Sequence, residues 1–243
     1  MKKILLLTLT LLLAFSLLTA CTTKQPAGSS SESQSASASS ESQAANASSE
    51  SQATSSSSES QPAKSSSEYE KGTFTDNSFE SEYLDLRFTL PDGFVMATEE
   101  DIATMMGLGA EMMDLDSKLV EYANLTTVYE MMATEVASGT NVIVLAEKLS
   151  MSNMTVEQYF TALESQLKAV ESIQYEIDNE ITTVEIAGNS YKQLTASTVA
   201  YGKPMVQKYM LRKIDDRMIG FIVTDVSESE EVLNTLMAGF SKF

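Results

Sequence analysis

The chain has 243 residues, with 34 acidic against 16 basic and a formal net charge of −18. That balance argues against nucleic acid as a partner, because a phosphate backbone needs a basic face. There is no histidine, no tryptophan and one cysteine. Ser-His-Asp and Cys-His catalysis, the commonest metal ligand and any internal disulfide are therefore absent, so stability has to come from an apolar core.

Met1-Lys2-Lys3 precedes an apolar run from Ile4 to Ala14, broken only by Thr8 and Thr10, and Phe15 to Leu18 lead on to Thr19-Ala20-Cys21. A cationic start, an apolar core and small residues at its end predict a secretory signal over residues 1–20. The run is shorter than the roughly 20 apolar residues of a permanent span. Leu18-Thr19-Ala20-Cys21 resembles the lipobox of bacterial lipoproteins. That resemblance implies a diacylglycerol on Cys21, palmitate-type acylation and cleavage before the cysteine. The expected location is the extracytoplasmic face of the cell membrane, with the membrane a partner through the lipid anchor. Two acyl chains hold a protein stably where one does not.

Residues 21–71 form the lipidated cysteine and a tether. From Thr22 to Ser67 the composition collapses to small and polar residues, and Ser-Glu-Ser-Gln recurs at Ser31, Ser40, Ser49 and Ser58, nine residues apart. The repeat has no large apolar residue to bury between stacked copies, so a disordered linker is expected rather than a solenoid. Its mean span is roughly 35–40 Å and its stretched reach about 150 Å, which would let a domain explore a wide shell above the membrane or pass into a thick wall.

Residues 72–243 are expected to be one α+β domain with one core. Leu84, Leu86, Phe88 and Leu90 alternate with Asp85, Arg87 and Thr89, a strand stopped by Pro91-Asp92-Gly93. Thr98 with Asp101 predicts a capped helix start, and a second helix is expected over about 110–123. Strands follow near 127–135 and 141–149 around Ser138-Gly139, and apolar Val142 to Ala146 predicts a central strand covered on both faces. Thr155 and Gln158 cap a helix with the stripe Val156, Tyr159, Phe160, Leu163, Leu167 and Val170. Five strands are expected over 174–177, 181–186, 191–199, 205–214 and 218–226, then a helix from Ser227 to about Ala238. Short turns between strands predict antiparallel pairing.

Phe79 and the phrase Leu86-x-Phe88-x-Leu90-Pro91-x-Gly93-Phe94, followed by helix, strand meander and C-terminal helix, resemble the PsbP-like family. Extrinsic photosystem II subunits and many bacterial lipoproteins belong to it, and many bacterial members carry tryptophan where this chain has Phe94. The resemblance, over roughly Thr73 to Phe243, implies an α-β-α sandwich: an antiparallel sheet with helices packed on it. It implies a binding or accessory role and transfers no catalytic residue.

Candidates for chemistry are sparse. Asp114-Leu115-Asp116 lacks the glycine and terminal glutamate of a calcium loop. Met151-x-x-Met154 has thioether spacing without a histidine or second cysteine beside it. No metal and no cofactor are expected. Ser165-x-x-Lys168 fits the letters of a Ser/Lys pair within a helix. The acidic residues leave a carboxylate-dependent cell-envelope hydrolase as the alternative to a non-catalytic module. The candidate partner patch is Met105, Met106, Leu108, Met112 and Met113, adaptable apolar side chains with Gly107 and Gly109 expected to interrupt the helix there. Its partner would be an envelope protein or a small ligand.

Overall fold

The protein is described here by a computed structural model covering residues 68–243 apart from 76, 113–116, 171–172, 179, 201 and 228, and by backbone alone at 106, 108–112, 118–120, 122 and 200. Cys21, Met113 and the Asp114–Asp116 triplet lie outside the described residues.

The larger sheet is an antiparallel array. Its strands are β4 (Phe94–Met96), β5 (Thr127–Glu135), β6 (Asn141–Lys148), β7 (Glu176–Ile177), β8 (Thr182–Ile186), β9 (Asn189–Ala200), β10 (Lys203–Ile214) and β11 (Arg217–Asp225). They lie in the order β4-β5-β6-β11-β10-β9-β7, with β8 also on β9. The turns have the backbone that tight hairpins need: Ala187 and Gly188 both take positive φ, 52° and 74°, which matches the twist of the flanking strands. Every residue of β6 from Asn141 to Glu147 is buried, as its uninterrupted apolar run predicts.

Alternation along the strands divides the core in two. Met132, Ile143, Leu145, Leu194, Tyr209, Leu211 and Ile222 face one side. Three helices cover that side: α1 (Glu99–Met112), α2 (Ser117–Thr126) and α3 (Val156–Leu167). The capping box of α3 is complete, with Gln158 N bonding to Thr155 Oγ1 at 3.2 Å and Thr155 N to Gln158 Oε1 at 3.0 Å. Its stripe buries Tyr159, Phe160, Leu163 and Leu167.

The other side holds Met131, Val142, Val144, Met210, Ile219, Phe221 and Val223. It is covered by helix α4 (Glu230–Ala238) and by a second, four-stranded sheet. That sheet runs β1 (Thr73–Thr75), β2 (Ser78–Ser81), β3 (Leu86–Thr89), β12 (Phe240–Ser241). Phe88 pairs with Phe79 on one edge and Phe240 on the other, and the Phe240 ring lies tilted against Phe88 at 4.6 Å and edge-on to Phe221 at 5.2 Å. Helices thus pack on both faces, but the second face is shared with this small sheet. Only its β3 strand is legible from alternation.

One expectation needs correction. Gly107 and Gly109 do not interrupt the first helix, which runs unbroken through both to Met112. A glycine costs a helix interior only about 1 kcal/mol, less than tertiary contact along one face supplies. The second helix correspondingly begins later than expected, at Ser117.

Candidate functional site

α1 starts where the sequence places it. Thr98 N and Oγ1 both donate to Asp101 Oδ2, at 2.9 and 2.7 Å, and Asp101 N bonds back to Thr98 Oγ1 at 3.1 Å. These bonds hold the Asp101 carboxyl below its ordinary range. From this cap α1 runs over one end of the large sheet. Ile102 is buried there, and Met105, one turn on, is half-buried against the same core cluster. Met105 therefore contributes to the core beneath α1. Met106, Leu108 and Met112 lie in the same helix by backbone.

β4 pairs only with Ala133–Glu135 of β5, so the first half of β5 has no neighbouring strand on that edge among the described residues. The chain from Tyr69 to Gly72, just ahead of β1, lies against this gap and is held by side chains. Glu130 is the extra residue of a β-bulge, where the register slips between Tyr129 and Met131. Its Oε1 accepts the Tyr69 hydroxyl at 2.6 Å and its Oε2 the Gly72 amide at 2.9 Å. The Arg217 guanidinium sits 3.6 Å over the Tyr69 ring, and Tyr83 meets that ring edge-on at 5.1 Å. A Cβ on Gly72 would stand 2.3 Å from the Phe79 ring and 2.8 Å from the Glu80 carbonyl oxygen, so only glycine allows so close an approach. The packed domain thus reaches back to Tyr69, ahead of the Gly72 boundary read from composition. Lys71 sits between the two clamped residues, and its ammonium pairs with Glu99 in the first turn of α1.

These elements enclose a cleft of about 400 Å³. Lys71 and Glu99 stand at it, with Ile102, Ala103 and Gly107 from α1, Asn124 from α2, and Thr127, Val128 and Tyr129 from β5. Tyr129 is partly buried against the core, and its hydroxyl is enclosed. Near that hydroxyl is Glu147, buried in β6 and accepting the Tyr159 hydroxyl at 2.5 Å. Burial first, then the Glu147 charge, raises both tyrosines well above the ordinary phenol value. Burial likewise raises Glu130, against lowering contributions from Tyr69, Gly72, Lys71 and Arg217. Lys71 holds Glu99 low, chiefly through its hydrogen bond. Neither buried glutamate is among the residues lining the cleft, and its two charged groups neutralise one another.

The sequence reading missed Tyr69, Glu130 and Glu147. Nothing in the pattern announces a buried glutamate on a bulge, although a strand as apolar as Val142–Ala146 leaves Glu147 to follow its neighbours inside. Two other sequence candidates come apart. The Ser165 hydroxyl bonds the Thr161 carbonyl at 2.9 Å while Lys168 pairs with Glu164 at 3.4 Å, and Met151 is exposed where Met154 is buried. Among the described residues no cluster of three or more acidic, cysteine or histidine side chains is placed to hold a metal. Nor is any helix there long and apolar enough to cross a membrane.

No protein-family model and no curated protein matches the chain. Among solved structures it is similar to the PsbP protein CyanoP from Synechocystis sp. PCC 6803, with 10% identity and a TM-score of 0.43, over 68% of this chain and 91% of that one. It is also similar to LpqN, involved in cell envelope biogenesis in Mycobacterium tuberculosis, with 10% identity and a TM-score of 0.38, over 64% of this chain and 82% of that one.

Proposed function

We propose that this chain is a lipid-anchored, extracytoplasmic protein whose α+β domain is a non-catalytic binding or accessory module. The lipobox-like Cys21 and the serine-rich tether supply the address. The observation that carries the binding role is the cleft beside β5. Its walls are mostly apolar, with Asn124 and Thr127 among them, and a self-neutralised Lys71–Glu99 pair stands at its edge. The two buried glutamates, which a hydrolase would need facing substrate, are engaged by tyrosine hydroxyls instead. Binding asks for a shaped surface with a few placed polar groups. Carboxylate-dependent hydrolysis asks for two acids at a set separation across the substrate.

Two measurements test this. Metabolic labelling with a clickable fatty acid should mark the intact chain and vanish in Cys21→Ser; labelling that survives the substitution contradicts the anchor. Glu147→Gln, a change outside the residues that line the cleft or hold Lys71, should leave any envelope phenotype of the protein in place if the chain still folds. Loss of the phenotype in the folded variant would favour the hydrolase.

A further inference from the structure

We propose that the cleft beside β5 binds a small amphiphilic carboxylate, with Lys71 taking the carboxylate and Ile102, Val128 and the Tyr129 ring taking the apolar body. This deepens the binding-module reading and rests on it.

Lys71 is the one cation lining the cleft among the described residues, and it cannot easily retreat. The residues on either side of the Glu70–Lys71 pair, Tyr69 and Gly72, are both held by Glu130. Gly72 is further wedged against Phe79, and the Tyr69 ring lies under Arg217. Its present partner is different in kind. Glu99 sits in the first turn of α1 with its side chain 76% exposed, against 36% for Lys71. An exposed ion pair of this sort contributes little net stability, because each charge is well solvated when apart. Exchanging the Glu99 carboxylate for that of a ligand therefore costs little: the more exposed Glu99 returns to water, while an apolar body in the cleft excludes water from beside Lys71 and strengthens its pairing with the ligand's carboxylate. The ligand brings something Glu99 does not: an apolar body to bury against the cleft walls.

Room for that body exists. Gly107 lies one turn beyond Ala103 on α1 and lines the cleft, and a Cβ built on it meets nothing within 4 Å. The volume of about 400 Å³ falls at the lower end of small-ligand sites. An amphiphilic cation would meet Lys71 as a like charge. An uncharged amphiphile would leave the ion pair intact and gain only burial.

The test is isothermal titration of the full chain carrying Cys21→Ser, which removes the lipid, with decanoate, decanol and decyltrimethylammonium. Decanoate should bind at least about tenfold more tightly than decanol, a difference of about 1.4 kcal/mol, and the cation should not bind. Lys71→Gln should bring decanoate down to the decanol level without changing decanol. Gly107→Leu should abolish both while leaving the melting temperature unchanged or raised. If decanoate binds no better than decanol, yet both are lost in Gly107→Leu, the carboxylate assignment is overturned and the cleft remains the site. If Gly107→Leu alters neither, or none of the three probes binds the parent chain, the cleft is not the binding site and the proposal falls with it.

Discussion

α3 and α1 lie on the same face of the large sheet, and both start in a complete capping box, but they end in different places energetically. α3 commits four large side chains to the core, Tyr159, Phe160, Leu163 and Leu167, each with at most 3% of its surface exposed. α1 buries Ile102 and half-buries Met105, then presents Ala103 and Gly107 to open space. Where the helix supplies a full apolar stripe the sheet is sealed. Where it supplies small residues a cleft stays open, and the chain from Tyr69 to Gly72, held through one buried glutamate, forms part of its wall. Packing makes the first region a foundation and leaves the second open.

The largest expected effect separates the two regions by core truncation. Phe160→Ala in α3 should cost roughly 3–5 kcal/mol in chemical denaturation, from lost transfer free energy and the cavity left behind. Ile102→Ala in α1 should cost about 2 kcal/mol, since water already reaches the neighbouring cleft. Equal costs would erase the distinction.

Glu130 sharpens the comparison through pH. Its carboxyl is raised by burial, partly offset by Tyr69, Gly72, Lys71 and Arg217. The folded state then binds this proton more tightly than the unfolded state does. Its favourable contribution is fully present below the ordinary carboxylate value and is lost as pH rises through the folded value. Denaturation of the parent chain against pH should show that decline, and Glu130→Gln should remove it. Asp101 has the opposite sign. Its carboxyl is lowered by Thr98, so its contribution is present above its ordinary value and is lost as pH falls.

Smaller effects follow at the caps. Thr155→Ala should cost about 1 kcal/mol of global stability. Thr98→Ala breaks the same kind of box on a less committed helix, so its main signature should be faster amide exchange at the start of α1. Gly107→Ala should stabilise by about 0.5–1 kcal/mol, because a helix interior favours alanine and nothing opposes the added methyl. A loss of stability there would mean that the cleft is tighter than the geometry says.

The sealed region was the legible one. Thr155–Gln158, the α3 stripe and the apolar run of β6 are local patterns, written within a few residues of the contacts they make. In the open region the cap of α1 and the strand β5 were legible, but the contacts that close it were not, and the reason is distance along the chain. Tyr69 finds Glu130 and Arg217, and on the opposite face Phe88 likewise finds Phe240 at the far end of the sequence to build the small sheet. No periodicity signals such pairs. Glu130 is hidden twice over, since a bulge breaks the alternation that would have assigned its face. The glycines of α1 misled in the other direction, because local propensity weighs against a helix that tertiary contact sustains.

The most direct measurement of the central claim, that recognition takes place at the open region, is in-cell photocrosslinking of the tethered protein. A photoreactive side chain would replace Ala103 at the cleft in one variant and Ser165 on the exposed side of α3 in another. The account expects a discrete crosslinked species from position 103 that decanoate competes away, and none from position 165. Equal capture at both positions, or capture only at 165, would contradict it.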